Sequence, residues 1–559
     1  MSDDFSAPEM RADGDMVTDI SPGGFLGFGV GSDMFKNMGT FGGDVLYTPP
    51  KMSGNRETYL GRDASIRAAR QAERTHEHIR GGIERKVNTV VGTALKFRSK
   101  IDWRLLGLPS TDETLKWAAS YDRRREALFN EWGYDRRLLA DAEGHYNFGG
   151  LMWLSNRNLN GPDAETAGVI HYDMDRARDY GTRWGTFVTV LDPDRVMTPT
   201  DKFDDKFVYG GRKLDAWGRW TGIYVLKGHP GETSLTSDNF ELVPRQNQNG
   251  RPMAWHWFKK TRGGAQRGLT ALITVLRQST MVDKLDDANL GAALLEAILA
   301  VSIQTSSSPE TAGEKLAPAT SRLSDRMSLL DRAKFYEASR IRVGGNRVPV
   351  LAEDDKLVMQ AVGRIAADPS ALRNGFMNAF ASSIGTTAEM VTKDYTRSTY
   401  SSIRAGLEDW KRDMLAERGM FTDHVPSQVA DALTEEMIVK GWLSLDDMPG
   451  GPQNFYENRA AYTACDWTGP SIGQIDPLKE TLAAGARIAL RLSDTPTEAA
   501  ALGNDSESIL ERESAFRKMA DKLDVPIGTP MQITMEPDTE EVTATVPPPA
   551  PASAPENAR

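Results

Sequence analysis

Two stretches with helical periodicity stand out in the pattern of apolar and polar positions along this chain. In the first, residues 269–303, apolar side chains recur at steps of four and three, as in an amphipathic helix that packs against partner helices. The residues of this stripe are Met281, Leu285, Ala288, Ala292, Leu295 and Leu299. A basic, glycine-flanked segment at 261–268 precedes the stripe, and Pro309 follows its end.

The second stretch predicts a shorter helix over residues 369–383. Asp368 can cap its first turn, and Pro369 suits the first helical position. Its apolar face is formed by Leu372, Phe376, Ala379 and Phe380. A polar insert separates the two helices, so the pattern predicts an antiparallel pair that carries a protrusion at one end.

A basic segment rich in hydroxyl groups follows the second helix, at residues 393–404. The side chains that could face an anionic polymer are Lys393, Tyr395, Arg397, Ser398, Thr399 and Arg404. Cations could touch phosphates transiently, and the hydroxyl groups could add weaker neutral contacts.

Residues 53–262 predict an α+β unit in which helices precede strands. Residues 59–97 are basic and have an apolar face at helical spacing, so a helix with solvated charges is favoured over a nucleic-acid site. Short β-branched and aromatic runs then predict strands at 151–154, 185–191, 195–197 and 222–226. Several tryptophans fall in this part, where we expect them in the core or at a subunit interface. Further helices are predicted at 398–417, 428–441, 477–492 and 498–523.

The chain has 559 residues and a formal net charge of −11. This acidic balance argues against a protein that coats DNA, but it suits a conduit, in which each neutralised phosphate would add drag. No apolar run approaches the ~18 residues of a membrane helix, and the first residues lack the pattern of a secretory signal. Cys465 is the single cysteine, so no intrachain disulfide can form, and we expect a buried structural thiol.

The sequence lacks the compact motifs that mark common catalytic or cofactor sites. There is no zinc-type cysteine or histidine spacing, no phosphate-binding loop and no nucleophile elbow. We therefore expect no catalytic residue, no metal site and no cofactor. Acidic clusters at 201–205 and 353–355 leave open a metal-dependent nuclease, although surface carboxylates are the commoner explanation.

Four blocks occur in order over about residues 60–485. They are the arginine-rich helix with Trp103-Arg-Leu-Leu-Gly107, then Gly264-Ala-Gln-Arg-Gly268, then Val343-Gly-Gly-Asn-Arg-Val-Pro-Val-Leu351 continuing to residues 394–405, and finally Cys465-Asp-Trp-Thr-Gly469 with Ile475-Asp-Pro-Leu-Lys-Glu480. This ordered set resembles the lambda-type bacteriophage portal proteins.

The resemblance implies a homo-oligomeric ring, usually a dodecamer, at one vertex of the capsid, without catalysis and without a membrane. Double-stranded DNA would pass through the ring, pumped by a separate terminase. The ring would nucleate head assembly with the major capsid and scaffold proteins and would receive head-completion or connector proteins. It would be assembled in the host cytoplasm and remain in the virion. A head or connector protein other than a portal is the alternative within the structural proteins of phages.

The resemblance also implies a portal fold, with an α/β wing, a long-helix stem, a small α/β clip, a helical crown and flexible termini. The expected segments are a disordered arm (1–52), the wing (53–262 and 405–470), stem helix 1 (263–304), the clip (305–365), stem helix 2 (366–386), a tunnel loop (387–404), the crown (471–530) and a disordered tail (531–559).

The tunnel loop would bring Lys393, Tyr395, Arg397, Ser398, Thr399 and Arg404 to the DNA channel. An ion pair with a neighbouring subunit is the competing interpretation for Arg397 and Arg404. Stem packing would rest on Leu285, Leu295, Leu299, Phe376 and Phe380.

Overall fold

The computed structural model describes residues 53–92, 95–135, 148–299, 369–396, 398–472 and 476–523, together with 342–343, 346–347, 525, 532–533 and 544–545. The predicted arm at 1–52 lies outside these residues, as do most of the predicted clip and tail. The chain divides into two units, one ending at Trp467 and the other beginning at Thr468.

Helices and small antiparallel sheets alternate in the first unit, which confirms the α+β class. Its helices are α1 (Gly54–Thr75), α2 (Glu77–Val90), α3 (Asp112–Gly133), α4 (Phe148–Asn160), α5 (Met174–Asp179), α6 (Leu276–Leu299), α7 (Pro369–Ile384), α8 (Ala388–Thr392), α9 (Tyr400–His424), α10 (Pro426–Val439) and α11 (Arg459–Thr463). Its strands are β1 (Lys96–Ser99), β2 (Glu165–Tyr172), β3 (Thr186–Leu191), β4 (Val208–Tyr209), β5 (Arg212–Leu214), β6 (Trp220–Leu226), β7 (Phe240–Pro244), β8 (Ala254–Phe258), β9 (Arg342–Val343), β10 (Asn346–Arg347) and β11 (Cys465–Thr468).

One apolar cluster joins α2 to the two long helices predicted from the sequence pattern. Ile79, Ile83 and Val87 lie on one face of α2, and Phe380 and Ile384 of α7 pack in the same cluster. The segment that leads into α6 and the short helix α8 add further apolar side chains: Leu272, Val275 and Val391. The start of α6, the end of α7 and the short helix α8 therefore pack in one cluster with α2.

Two antiparallel sheets form a second apolar cluster. The strand order is β3-β2-β8 in one sheet and β4-β5-β6-β7 in the other. Ala167 and Val169 of the central strand β2 pack in one cluster with Ile223, Val225 and Val243 of the other sheet. β2 is buried on both faces from Glu165 to Ile170, although Glu165 and Thr166 are polar. A Cβ atom at Gly168 would lie 2.0 Å from Cζ2 of Trp255, so only glycine leaves room for that buried ring.

Residues after α9 contact elements from the first 260 residues of the chain. β11 pairs with β1, and Arg125 of α3 is fully buried where these segments meet. Its guanidinium donates to the Thr434 hydroxyl at 2.9 Å and to the carbonyls of Thr463 and Ala464 at 2.8 and 2.7 Å. The two sequence segments predicted as one wing thus share buried polar contacts.

The second unit contains α12 (Pro477–Ala489), α13 (Thr495–Ala501), α14 (Ser506–Lys522) and the paired strands β12 (Gln532–Ile533) and β13 (Ala544–Thr545). α12 has no buried residue, and Ala520 is the buried residue of α14. Its helices expose apolar side chains, among them Leu490, Leu510 and Phe516.

Several elements differ from their predicted form. Residues 151–154 lie inside α4, so the predicted strand there is wrong. The first long helix begins at Leu276 and not at 269, because a 3-10 turn, Ala271–Thr274, comes first. Residues 96–99 form β1 and do not continue the preceding helix. Residues 195–197 contribute the end of a 3-10 turn and an isolated bridge between Val196 and Val225.

Candidate functional site

The predicted loop connects α8 to α9 and spans residues 393–399. Residues 388–392 and 400–404 of the predicted segment are helical. Lys393 ends α8 with φ of 59°, in the left-handed region that is uncommon for residues other than glycine. Its amide donates to the Glu389 carbonyl at 2.8 Å, so the turn closes the helix in a defined geometry.

The hydroxyl groups of the loop are used within the loop itself. Thr399 and Ser402 cap α9 reciprocally: the Ser402 amide donates to the Thr399 hydroxyl at 3.3 Å, and the Thr399 amide donates to the Ser402 hydroxyl at 3.0 Å. The Ser398 hydroxyl donates to Glu389 Oε1 at 3.1 Å. Asp394 accepts from the amide and hydroxyl of Thr396 at 3.0 and 2.6 Å. These bonds fix the shape of the loop and leave its hydroxyls engaged.

Two cations and one aromatic ring in the loop or at the start of α9 are exposed. Lys393, Tyr395 and Arg404 are exposed, and neither Lys393 nor Arg404 forms an ion pair with any described residue. Arg397 lies outside the described residues. The first turn of α9 contains no acidic residue, so its positive helix end is not neutralised by its own side chains. Lys393 and Arg404 therefore present positive charge at the two ends of a hydrogen-bonded loop, which also carries the exposed carboxylate of Asp394.

The predicted stem residues are only partly brought together. α6 and α7 are in contact, and Phe380 is buried in the apolar cluster with α2. Leu285 and Phe376 are half-buried. The side chains of Leu295 and Leu299 lie outside the described residues. The outward face of α6 leaves Met281 and Leu290 exposed, by 39% and 62%.

A small cavity of about 50 Å³ lies between the start of α2, α6 and α7. His76, the residue between α1 and α2, places Nδ1 at 3.1 Å from Asp283 Oδ1 on α6. Arg373 of α7 reaches Asp286 of α6 at 3.6 Å. One pair joins α6 to the start of α2, and the other joins α6 to α7.

The glycine-flanked motif before α6 is a structural anchor. Arg267 donates through Nε to Glu165 Oε2 at 2.9 Å and through Nη1 to the carbonyl of Gly210 at 2.7 Å. Arg62 Nη2 approaches Glu165 Oε1 at 2.5 Å. The Gly268 amide donates to Glu165 Oε2 at 3.1 Å. A Cβ atom at Gly268 would lie 2.3 Å from the Ala164 carbonyl, which explains the second glycine of the motif.

Electrostatics at this anchor favour an ionised carboxylate. Burial opposes the charge of Glu165, but the guanidinium groups of Arg267 and Arg62 hold its pKa well below the ordinary value. Burial, assisted by Arg212, lowers the pKa of the adjacent His256 to about 4. A neutral histidine therefore sits beside a carboxylate that already has two cationic partners.

The sequence interpretation missed this role for the basic helix α1. Its charges were assigned to solvated faces, yet Arg62 is buried and Arg70 is half-buried. Arg70 pairs with Asp163 and Asp194, each at 2.6 Å. The available signal was the spacing of Arg62, Ile66 and Ala69, which places an arginine on the apolar side of the helix.

The acidic residues considered for a nuclease do not gather into a site. Asp201, Asp204 and Asp205 are exposed, and Asp201 accepts a hydrogen bond from Ser237 at 2.8 Å. Residues 353–355 lie outside the described residues. Elsewhere in the described chain, Asp192, Asp194 and His229 place ligand atoms within 4.8 Å of one another. Arg70 already pairs with both of these carboxylates, at 3.5 and 2.6 Å.

Cys465 is half-buried, and its Sγ lies 3.7 Å from the Ser427 hydroxyl. Burial raises the pKa of its thiol, which disfavours the thiolate that a nucleophile needs. Among the described helices, none combines the length and the apolar character needed to cross a bilayer.

Comparison with known proteins identifies the family. The family model described as phage portal protein, lambda family, matches residues 45–418. The portal protein of Escherichia phage N15 is 26% identical over 492 residues, which cover 86% of this chain and 90% of that protein. Portal protein B of Escherichia phage lambda is 24% identical over 488 residues, covering 86% and 89%. The chain belongs to the lambda family of phage portal proteins.

Proposed function

We propose that copies of this chain form a ring at one capsid vertex, most simply a dodecamer, through which double-stranded DNA enters and leaves the head. Membership of the portal family carries this proposal. Exposed apolar side chains on α6 support it, because Met281 and Leu290 offer a surface that a neighbouring copy can cover. A closed ring uses one such heterologous contact repeatedly.

The loop between α8 and α9 lines the channel in this proposal. Lys393 and Arg404, which have no ion-pair partner among the described residues, present positive charge on a frame that the Thr399–Ser402 capping box holds in place. A few cations suit a conduit better than a basic stripe would, because each neutralised phosphate adds affinity and therefore drag. The net charge of −11 acts in the same direction by limiting adhesion of DNA elsewhere.

The ring acts as a docking platform. The segment that we assign to the clip, 305–365, faces the terminase and then the head-completion or connector proteins. The wing meets the major capsid and scaffold proteins during assembly in the host cytoplasm. Nothing in this role requires catalysis or a cofactor, since the terminase supplies the motor.

The channel loop can be tested by replacing its cations with neutral polar side chains. In heads assembled with Lys393→Gln and Arg404→Gln together, we expect rings of normal mass and normal terminase ATP hydrolysis. Packaging rate or retention of packaged DNA should change. The slope of log retention against log salt should fall by roughly one for each phosphate that the loop no longer neutralises. Ring mass is measured by native mass spectrometry, and retained DNA is measured over a salt series.

Lys440→Gln is the matched control, because Lys440 is exposed at the end of α10 and away from the loop in sequence. It should behave like the unmodified protein. A double variant that packages and retains DNA normally at every salt concentration contradicts the channel role. A double variant that fails to form rings favours the intersubunit ion pair for Arg404.

A further inference from the structure

Helix α9, which carries the loop, is buried along only part of its length. Within residues 400–409 no described side chain is buried. The buried residues all lie in the second part of the helix: Trp410, Met414, Glu417, Arg418, Phe421 and Thr422. The first ten residues therefore extend from a firmly packed base, and the orientation of that base determines where the loop lies.

Ion pairs and hydrogen bonds join the base of α9 to α2 and to the residue that follows β8. Glu417 Oε2 lies 3.1 Å from Lys86 Nζ on α2, and Glu417 Oε1 lies 2.8 Å from Lys259 Nζ just after β8. Arg418 donates to the carbonyls of Val90 and Thr89 at 2.9 and 2.7 Å, at the end of α2. Burial opposes the charge of Glu417, but the two lysines hold its pKa below the ordinary value, so the carboxylate is ionised at neutral pH.

The same lysine also reaches the helix on the other side of the loop. Lys86 Nζ donates to the Ile384 carbonyl at 3.0 Å, in the last turn of α7. Cations are favoured there, because helix C-termini carry partial negative charge. α8 follows after Gly385, which has φ of 73°, and Val391 of α8 packs in the α2 cluster. Lys86 thus fixes both chain segments that flank the loop.

The length of α9 makes the position of the loop sensitive to the orientation of the helix base. Seventeen residues separate Tyr400 from Glu417, and at 1.5 Å per residue the helix spans about 25 Å between them. Rocking α9 by about 5° at its base would move the loop by about 2 Å, which is comparable with the length of a hydrogen bond. A small change in the angle of the helix base therefore produces a larger displacement of the loop.

We propose that Glu417, with Lys86 and Lys259, is a positioning residue for the channel loop, holding α9 at a fixed angle to the end of α7. The consequence for DNA rests on the proposed channel function of that loop. The consequence for loop position does not, so the two can be measured separately.

The test places a nitroxide label at residue 395 of the full-length ring, using Tyr395→Cys with Cys465→Ser. Distances between labels on different subunits are measured by pulsed electron paramagnetic resonance. With Glu417→Gln, we expect a distance distribution roughly twofold wider, following from a loop displacement of about 2 Å. Asp413→Asn, one turn earlier and exposed on the same helix, should leave the distribution unchanged.

A merely structural role would lower the unfolding temperature of Glu417→Gln rings without widening the distances, and that result overturns the proposal. If Glu417→Gln forms no ring, Lys259→Met is used, since it removes one cation and leaves Lys86 in place. A wider distance distribution with Lys259→Met supports the positioning role of Glu417, and an unchanged distribution overturns it. A wider distance distribution with normal DNA retention supports the positioning role of Glu417 and contradicts the channel function of the loop. A wider distribution with a several-fold decrease in retained DNA supports both.

Discussion

Glu165 shows how single buried charges position distant parts of this chain. It has no solvent exposure, yet it meets Arg62 from α1 and Arg267 from the segment before α6. Removing Glu165 would leave two largely buried guanidinium groups without their carboxylate, and breaking a buried pair in this way typically costs about 3–5 kcal/mol. Glu436 has a similar role, accepting from the amides of Gly185 and Thr186 at 2.7 and 3.0 Å.

His256 beside Glu165 should make the stability of the first unit depend on pH. Burial lowers its folded-state pKa to about 4, whereas the unfolded chain has the ordinary pKa near 6.5. Below pH 6.5 the unfolded chain binds a proton that the folded chain refuses, so stability falls as pH drops toward 4. Between pH 6.5 and 5 this effect lowers the free energy of unfolding by about 1.6 kcal/mol, and we expect His256→Gln to abolish that decrease. Urea unfolding at both pH values measures it.

The comparison with the variant is needed because other groups act in the opposite direction. Burial raises the pKa of Asp163 and of Asp431 to about 6, although Arg70 and Arg459 oppose the shift. Their folded forms take up protons earlier than the unfolded chain and gain stability as pH falls. His424→Gln, at an exposed position, is the control. Equal pH slopes for His256→Gln and the unmodified protein would contradict the prediction.

At the scale of elements, periodicity predicted the long helices well and the short strands less well. α7 begins at the predicted Pro369, and α9 begins two residues after its predicted start, where Thr399 caps it. Residues 151–154 were assigned to a strand because they combine Trp153 with Leu and Met beside paired glycines. In the fold, Leu151 and Met152 are buried on α4, so tertiary packing overrides a four-residue preference.

The turn before α6 gives a prediction at this scale. Gly268→Ala should destabilise the protein by more than about 2 kcal/mol, because the new Cβ atom would lie 2.3 Å from the backbone carbonyl of Ala164, which cannot move without displacing β2. Gly263→Ala in the same motif meets nothing within 4 Å and should change stability by less than about 0.5 kcal/mol. Thermal and urea unfolding measure both. Similar values for the two variants would argue against the close approach.

At the scale of the whole molecule, the first unit is built from two separated stretches of chain. Arg125 joins α3 to α10 and α11, and Arg251 Nη1 donates to the Ala432 carbonyl at 2.9 Å. Phe380 and Ile384 of the later stretch complete the core of α2. Neither stretch can satisfy these buried groups alone, so the two should behave as complementary halves.

Co-expression of residues 53–299 and 369–472 as separate chains should therefore give a one-to-one complex. Arg125→Met in the first fragment removes donors from two partly buried carbonyls and should weaken association by roughly tenfold or more. Arg123→Met, on the same helix but exposed, should have no effect. Calorimetry or co-purification followed by native mass spectrometry measures the affinity. Soluble fragments that do not associate would show that the intervening segment is required for the core.

The sequence by itself determined the α+β class, the paired long helices and the family, because these depend on periodicity and on ordered motifs that are local in the chain. It also placed the basic loop between two helices. Only the tertiary structure decided which arginines are buried. In the sequence, Arg62 and Arg125 do not differ from surface cations. The fold places Glu165 beside Arg62, and it places the carbonyls of Thr463 and Ala464 beside Arg125. The sequence also did not show that α9 is anchored at Glu417, because Lys86 and Lys259 are more than a hundred residues away along the chain. Coulomb interactions depend on distance in space and not on distance along the chain.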